Sequence, residues 1–156
     1  MEALIIVDLQ KAFPPPKKFI QRVRRYTRRF KQRIYTRFVN PKGSLFRTKL
    51  GQPCCLPGTE DVELLIEPTE GDVVLTKQGY GLSAAAIRRL RKMGITRATV
   101  CGIDTDACVL GVMFSLFDAG IEPRVKADLC WSSSGLHGAA MAIIEEQFPP
   151  PKRGRK

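Results

Sequence analysis

The segment Gly102–Gly111, which reads GIDTDACVLG, decides the fold because it joins two apolar segments through a polar turn. Residues 97–103 (RATVCGI) have the branched, apolar composition of a buried strand, and residues 107–119 repeat apolar side chains at helical spacing. Gly120 follows as a typical helix stop. A buried strand that leads through a turn into a helix predicts an α/β fold with a parallel sheet.

Outward from this segment, short apolar runs alternate with segments of helical spacing. The predicted strands are residues 3–8, 33–39, 72–77, 97–103 and 121–127. The predicted helices are residues 17–32, 61–67, 84–93, 107–119 and 137–148. Residues 40–60 are predicted to be loop, and Pro123 indicates that the last strand lies at an edge or that Pro123 stands early in it. We therefore expect a three-layer αβα domain, residues 1–148, with a central and mainly parallel sheet of five or six strands, followed by a basic disordered tail, residues 149–156.

The composition excludes several classes of protein. A chain of 156 residues, 44% hydrophobic and 26% charged, is typical of one globular domain. It contains no apolar run long enough to cross a membrane, and its opening residues MEALIIVDLQ are typical of a strand and not of a signal peptide. The five cysteines include no CxxC pair. They indicate free thiols in a reducing compartment, so we expect a cytoplasmic protein without a structural zinc site.

The net charge of +11 is concentrated in one part of the chain. From Leu9 to Thr59 there is no Asp or Glu, whereas 14 of the 26 Lys and Arg residues lie there. The remaining residues carry 12 basic and 15 acidic side chains. A solvated helix face with basic loops is the favoured interpretation. The alternative is a face within residues 17–49 that binds nucleic acid or another polyanion.

Three reactive side chains fall at the predicted carboxyl ends of different strands, where open α/β sheets form their sites. Asp8 ends the first strand, Lys77 ends the third, and Cys108 follows the fourth at the start of a helix. Helix amides and a nearby lysine are expected to lower the pKa of the Cys108 thiol, and a carboxylate within reach is expected to accept its proton. Each residue alone also fits an ordinary structural role, so only their convergence indicates a nucleophilic site.

These residues stand in motifs that resemble those of the isochorismatase-like cysteine hydrolase superfamily, which includes nicotinamidases, carbamoyl-amide hydrolases and isochorismatase. The motif D-x-Q-x-x-F stands at residues 8–13, the lysine motif VLTK at residues 74–77, and the nucleophile motif G-x-x-T-D-x-C-V at residues 102–109. A fourth motif, D-x-x-x-S-S-S…H, stands at residues 128–137. The nucleophile motif is the most specific. We expect His137 to begin or cap the last helix.

The resemblance implies a catalytic triad of Asp8, Lys77 and Cys108. In this interpretation Cys108 attacks a carbonyl group and forms a thioester, Asp8 is the general base and acid, and Lys77 keeps Cys108 ionised. The resemblance also implies a non-proline cis peptide bond between Ile103 and Asp104. The backbone amides of Asp104 and Cys108 would then form the oxyanion hole.

The resemblance also bears on the substrate pocket and on metal binding. Phe13 and Tyr80 are candidate pocket residues because they flank Asp8 and Lys77 in sequence, with packing in the core as the alternative for both. Trp131 is the third candidate, for the pocket or equally for a subunit contact. Nicotinamidases of this superfamily bind a metal through an Asp-x-His sequence and a later His, where this chain carries Asn40 and Cys54. That pair makes a poor metal site, so we expect neither a metal nor another cofactor.

The resemblance therefore predicts a metal-independent cysteine hydrolase that cleaves a C–N bond of a small amide and assembles as a homo-oligomer. One alternative is isochorismatase-type hydrolysis of another small substrate. The other is a catalytically silent basic scaffold that binds nucleic acid or another polyanion through residues 17–49, and this is the less favoured interpretation.

Overall fold

The structure is a computed structural model that describes residues 1–149. The strands are β1 (Glu2–Val7), β2 (Arg33–Phe38), β3 (Val73–Lys77), β4 (Arg97–Ile103) and β5 (Glu122–Trp131). The helices are α1 (Lys17–Thr27), α2 (Leu45–Thr48), α3 (Ala84–Lys92), α4 (Leu110–Asp118) and α5 (His137–Gln147). A short 3₁₀ turn covers Glu60–Val62, and a π-helical turn, Thr105–Val109, joins β4 to α4.

The strands form a single parallel sheet in the order β3-β2-β1-β4-β5. The chain runs outward from β1 through β2 to β3, crosses to β4 on the other side of β1, and continues outward to β5. The direction of progress thus reverses between the neighbouring strands β1 and β4. A reversal of this kind opens a crevice at the carboxyl ends of the strands. The predicted three-layer αβα fold is confirmed, with five strands in the sheet.

Strand β1 forms the centre of the hydrophobic core. Its residues from Ala3 to Val7 are almost completely buried, and such a continuous apolar run is typical of a strand covered on both faces. The helices pack narrow apolar stripes against the sheet, with Phe19 and Val23 in α1 and Leu90 in α3. Burial of this apolar surface fixes the positions of the strand ends that carry the polar residues.

Two glycines allow close approach beside the polar turn. Gly102 has a φ of +122°, and a Cβ atom there would collide with the backbone of Val7, its neighbour in β1. In α4, a Cβ atom on Gly111 would lie 2.8 Å from the carbonyl carbon of Tyr80. These contacts hold β4 against β1 and hold the loop after β3 against α4.

The structure differs from the sequence prediction in the segment between β2 and β3. Helix α2 lies within the predicted loop, because the Ser44 side chain caps it by accepting a hydrogen bond from the Arg47 amide. The predicted helix over residues 61–67 is wrong. The Glu63 carbonyl accepts from the Lys11 amide, and the Leu65 amide donates to Leu9, so this segment pairs with the chain after β1.

Two element ends also differ from the prediction. Helix α1 ends at Thr27, because the chain then turns and brings the ring of Phe30 to 5.5 Å from that of Tyr26. Strand β5 continues to Trp131, which pairs with Ile103 of β4. The edge position predicted from Pro123 is confirmed.

Of the predicted tail, residues 150–156 lie outside the described part of the chain. Within the described part, no helix is both long enough and apolar enough to cross a membrane. All five cysteines are free, as predicted.

Candidate active site

The carboxyl ends of three strands bring together Asp8, Lys77 and Cys108. Asp8 follows β1, Lys77 is the last residue of β3, and Cys108 lies in the π-helical turn after β4. The Lys77 Nζ atom lies 2.8 Å from Asp8 Oδ2 and 3.2 Å from Cys108 Sγ. The side chains of Lys77 and Asp8 are only 1% and 3% exposed. The three residues predicted as a triad therefore form one cluster.

Strand β2 holds Asp8 in place through Thr36. Asp8 has a φ of +47°, a left-handed conformation that Asp adopts more readily than most residues. The Thr36 hydroxyl accepts a hydrogen bond from the Asp8 amide at 3.2 Å and donates one to Asp8 Oδ1 at 2.6 Å. Within residues 1–149, Asp8 Oδ2 accepts no hydrogen bond of good angular geometry, although it forms the ion pair with Lys77. Oδ2 is therefore the oxygen that can accept a proton.

The Lys77 ammonium has two neighbours besides Asp8 and Cys108. It donates a hydrogen bond to the Gly79 carbonyl at 2.7 Å, and it lies 5.3 Å from the centre of the Phe38 ring. Burial by itself lowers the pKa of Lys77, but the charge of Asp8 and the hydrogen bonds to Asp8 and Cys108 outweigh burial and raise the pKa above its ordinary value. Lys77 is therefore a permanent cation in this cluster.

The pKa of the Cys108 thiol is shifted in the direction opposite to the one expected from the sequence. Burial raises the pKa of Cys108 well above its ordinary value, and the neighbouring Asp8 carboxylate raises it further, while Lys77 opposes both effects. The lowered pKa inferred from the sequence is therefore wrong in direction. The lysine lowers the pKa as expected, but the burial of the sulfur and the nearby Asp8 carboxylate, which only the fold shows, raise it by more. The free protein thus presents a thiol beside an ion pair.

A serine-rich loop between β5 and α5 fixes the polar turn before Cys108. Asp104 accepts hydrogen bonds from the amide of Ser133 at 3.0 Å and from its hydroxyl at 2.9 Å. Asp106 accepts from the hydroxyls of Ser132 and Ser134. Burial raises the pKa of Asp106, but these hydroxyl donors outweigh it and lower the pKa overall. Both carboxylates therefore serve to hold the turn to the loop.

A histidine of the last helix contacts the turn. The hydroxyl of Thr105 lies 2.9 Å from Nδ1 of His137, which is the first residue of α5 and so has the structural position expected for it. The peptide bond between Ile103 and Asp104 is cis, as expected. Asp104 and Cys108, the candidate oxyanion-hole residues, both line the cavity described next.

A cavity of about 60 Å³ opens beside Cys108 and is walled mainly by aromatic rings. Phe13 and Tyr80 line it, as predicted. Phe38 and Phe46 add two more rings to the wall, and the ring of Phe46 lies 4.8 Å from each of the rings of Phe38 and Tyr80. The cavity is therefore small and largely apolar, with the thiol at its edge.

The third candidate pocket residue, Trp131, lies elsewhere. It pairs with Ile103 at the end of β5 and packs against the hydrophobic core, and it is not among the residues that line the cavity. Strand β5 continues to this residue, whereas the sequence suggested that it ended at residue 127. A role for Trp131 in the pocket or in a subunit contact stays a prediction.

Two residues of the site were missed from the sequence. Thr36 is a fully buried polar residue of β2 that stands between Tyr35 and Arg37, and no sequence pattern singled it out. Phe46 lies in α2, which was predicted to be loop, and the Ser44 cap was the signal that could have identified the helix.

The comparisons with known proteins agree with the fold and with the family that the sequence resembles. A family model described as the Isochorismatase domain matches residues 2–150. The chain therefore belongs to the isochorismatase family. Members of this family are hydrolases, and the protein is accordingly an enzyme of the hydrolase class. No curated protein matches the sequence.

Solved structures with the same fold are distant in sequence. The pyrazinamidase of Pyrococcus horikoshii, solved in complex with zinc, is 24% identical with a TM-score of 0.83, covering 94% of this chain and 96% of that one. The N-carbamoylsarcosine amidase of Thermoplasma acidophilum is 18% identical with a TM-score of 0.80, covering 94% and 92%. An isochorismatase-like hydrolase of Alkaliphilus metalliredigens is 15% identical with a TM-score of 0.82, covering 93% and 91%. These likenesses show the fold.

The residues of this chain that replace the family's metal ligands do not fit a metal ion. The buried side chain of Asn40 donates hydrogen bonds to the carbonyls of Gln52 and Cys54, both at 3.1 Å, and accepts one from Ser44. All of its polar atoms are therefore engaged within the protein. Within residues 1–149, no three His, Cys, Asp or Glu side chains cluster so that they could hold a metal.

Proposed function

We propose that the protein is a metal-independent cysteine hydrolase that cleaves the C–N bond of a small amide through a thioester on Cys108. The observation that carries the proposal is the position of the Lys77 ammonium, 2.8 Å from Asp8 Oδ2 and 3.2 Å from Cys108 Sγ, at the edge of a cavity. A nucleophile, a base and a cation that holds both are the elements that nucleophilic amide hydrolysis requires. In this proposal, residues 1–148 act as a single hydrolase domain.

The first half of the reaction forms the thioester. As the sulfur of Cys108 attacks the amide carbonyl, its proton passes to Asp8 Oδ2. The raised pKa of Cys108 means that this transfer accompanies the attack and does not precede it. The carbonyl oxygen becomes an oxyanion that the backbone amides of Asp104 and Cys108 stabilise. When the C–N bond breaks, the leaving nitrogen takes the proton from Asp8, and ammonia or an amine departs.

The second half of the reaction restores the enzyme. A water molecule gives a proton to Asp8 and attacks the thioester carbonyl, and the bond from carbon to sulfur breaks. The sulfur takes the proton back from Asp8, so that the carboxylic acid product leaves and the thiol is restored. Lys77 does not lose a proton in either half, because its raised pKa keeps it charged. Its role is to hold the carboxylate and the sulfur together.

The cavity supports a small and uncharged substrate. Its volume is about 60 Å³. Among the described residues, its lining includes no Lys or Arg. Its two carboxylates are Asp8, which is paired with the Lys77 ammonium, and Asp104. This lining suits an uncharged amide.

Two further proposals follow from the same interpretation. The protein assembles as a homo-oligomer, and exposed apolar side chains on α4 and α5 support this, among them Phe117 and Ile143. It acts in the cytoplasm, which its five free thiols support. Light scattering of the purified protein measures the first, and a monomer at all concentrations would contradict it.

The experiment that tests the function is a screen for ammonia release from small primary amides. The wild type is compared with Cys108→Ala and with Cys54→Ser, a matched control that removes a different partly exposed thiol. We expect release by the wild type and by Cys54→Ser but not by Cys108→Ala. Rapid acid quenching followed by mass spectrometry should show the acyl group on the peptide that contains Cys108. Equal release by Cys108→Ala would reject the mechanism.

A further inference from the structure

A cationic surface on and just after α1 lies apart from the candidate active site. Residues 17–29 include seven Lys or Arg residues and no Asp or Glu. All seven are exposed, and we call them the α1 basic face: Lys17, Lys18, Arg22, Arg24, Arg25, Arg28 and Arg29. The hydrolase proposal assigns no role to this face.

Most cations of the α1 basic face have no acidic partner among the described residues. In the described part of the chain, Arg22 is the member of the face that pairs with a carboxylate, that of Asp128 at 3.1 Å. Lys18 and Arg22 lie four residues apart on the same helix, so their like charges repel. Lys17 and Lys18 also occupy the first turn, where the helix dipole favours acids. A solvated helix typically mixes both signs of charge, whereas this repulsion would be relieved by a bound polyanion.

The face continues into a cleft between α1 and β5. The cleft has a volume of about 210 Å³ and is lined by four cations, Arg22, Arg25, Arg29 and Lys126. Arg29 and Lys126 lie 5.4 Å and 5.6 Å from the centre of the Tyr26 ring, which supports both. Cations from two elements thus converge on one concave site of a size and charge that suit a phosphate group.

The surroundings of the cleft favour one kind of polyanion. The large apolar residues of α1, Phe19 and Val23, are buried in the core, so the helix has no apolar face with which to enter a membrane. Tyr26 is half-buried next to two cations and so is not available for stacking with a base. We propose that the α1 basic face and this cleft bind the phosphate backbone of a nucleic acid without preference for its sequence.

The test measures binding of two short fluorescein-labelled probes, a DNA duplex and a single-stranded RNA, by anisotropy. NaCl is varied from about 50 mM to about 200 mM, the range over which binding to phosphates weakens strongly. The full-length wild type is compared with the triple variant Arg25→Gln, Arg28→Gln and Arg29→Gln. The matched control replaces Arg88, Arg89 and Lys92 of α3 with Gln, which removes the same charge from another exposed helix.

We expect the wild type to bind both probes with an affinity that falls steeply with salt and is the same for unrelated sequences. The α1 variant should bind at least about tenfold more weakly. A plot of log affinity against log salt should fall less steeply for the α1 variant, with a slope smaller in magnitude by about one for each phosphate that the variant no longer neutralises. The α3 variant should bind as the wild type does. Equal weakening by both variants, no binding by the wild type, or binding to phosphatidylglycerol vesicles in place of nucleic acid would overturn the proposal.

A second variant should strengthen nucleic acid binding, whereas the α1 variant weakens it. Asp128 is the carboxylate that lines the cleft, and it forms ion pairs with Arg22 and Lys126. Asp128→Asn removes this competing negative charge and should tighten nucleic acid binding several-fold. Unchanged or weaker binding of this variant, with an unchanged thermal unfolding profile, would show that phosphate does not enter the cleft. Amide hydrolysis is measured on every variant, so that failure of the binding proposal and failure of the hydrolase proposal remain distinguishable.

Discussion

The hydroxyl of Thr36 is bonded to Asp8 twice, as acceptor from the Asp8 amide at 3.2 Å and as donor to Asp8 Oδ1 at 2.6 Å. Thr36 thereby fixes both the backbone and one carboxylate oxygen of the proposed base. The other oxygen, Oδ2, is left to form the ion pair with Lys77, which also contacts Cys108. One buried residue in the neighbouring strand thus determines which oxygen of Asp8 can take part in proton transfer.

Replacing this residue tests that role. Thr36→Val keeps the shape of the side chain but removes the hydroxyl, so the amide and Oδ1 of Asp8 lose their partner. We expect destabilisation of about 1–3 kcal/mol in denaturant unfolding, because buried polar groups are left unsatisfied. We also expect kcat to fall at least about tenfold, since a displaced base transfers protons poorly. Thr36→Ser retains the hydroxyl and should stay close to the wild type. If both variants behave alike, the hydroxyl has no positioning role.

The electrostatics of the cluster predict the pH dependence of Cys108. Because burial and Asp8 raise the pKa of Cys108, alkylation by iodoacetamide should be slow near neutral pH and should still be rising at about pH 9, above the ~8.5 of a free thiol. Asp8→Asn removes a negative neighbour and should lower the pKa of Cys108, so that alkylation near neutral pH becomes faster. Lys77→Met removes the opposing cation and should raise the pKa further.

Peptide mass spectrometry resolves these alkylation rates for each cysteine. Cys54, whose pKa burial also raises, provides an internal comparison in the same sample. A wild-type Cys108 that is fully reactive well below neutral pH would mean that the free enzyme holds a thiolate, contrary to this account.

The close contact between α4 and the loop after β3 predicts that a substitution at Gly111 destabilises the protein, whereas the same substitution at an uncrowded helical glycine does not. A Cβ atom on Gly111 would press on the backbone of Tyr80, so Gly111→Ala should destabilise by about 1–3 kcal/mol as an overpacked site. It should also reduce activity, because this loop carries the Gly79 carbonyl that holds Lys77. Gly138 is also helical but has nothing within 4 Å, so Gly138→Ala should be neutral or stabilising by up to about 1 kcal/mol. Equal melting temperatures for the two variants would contradict the contact.

The hydrogen bonds of Asn40 predict that zinc has no specific effect. Chelation by EDTA should leave both the melting temperature and amide hydrolysis unchanged, and calorimetric titration with zinc should show no stoichiometric site. Asn40→Ala should destabilise by about 1–3 kcal/mol, since the Asn40 side chain bonds to the carbonyls of Gln52 and Cys54. Loss of activity on chelation, restored by zinc, would reject the metal-independent mechanism.

The sequence predicted the parts of the site that depend on local pattern. The strand that ends at Ile103, the polar turn and the apolar helix are all visible in one segment, and the cluster follows from the rule that parallel strands end at one edge. The direction of the Cys108 pKa shift could not be predicted in this way, because it depends on burial and on a carboxylate 100 positions away in the chain. Phe46 and Thr36 were missed for a related reason, since each acts through contacts with distant segments.

The three members of the proposed triad stand at positions 8, 77 and 108 and reach each other only across the completed sheet. Lys77 ends the outermost strand on one side, and the chain must then return to the far side of β1 before Cys108 is in place. Contacts that join such distant parts of a chain form late, because closing long loops is entropically unfavourable. Partly folded chains would therefore carry a thiol without its partners, and hydrolysis would report completion of the native fold. During refolding, activity should return no earlier than the last tertiary contacts, even where helical signal recovers first.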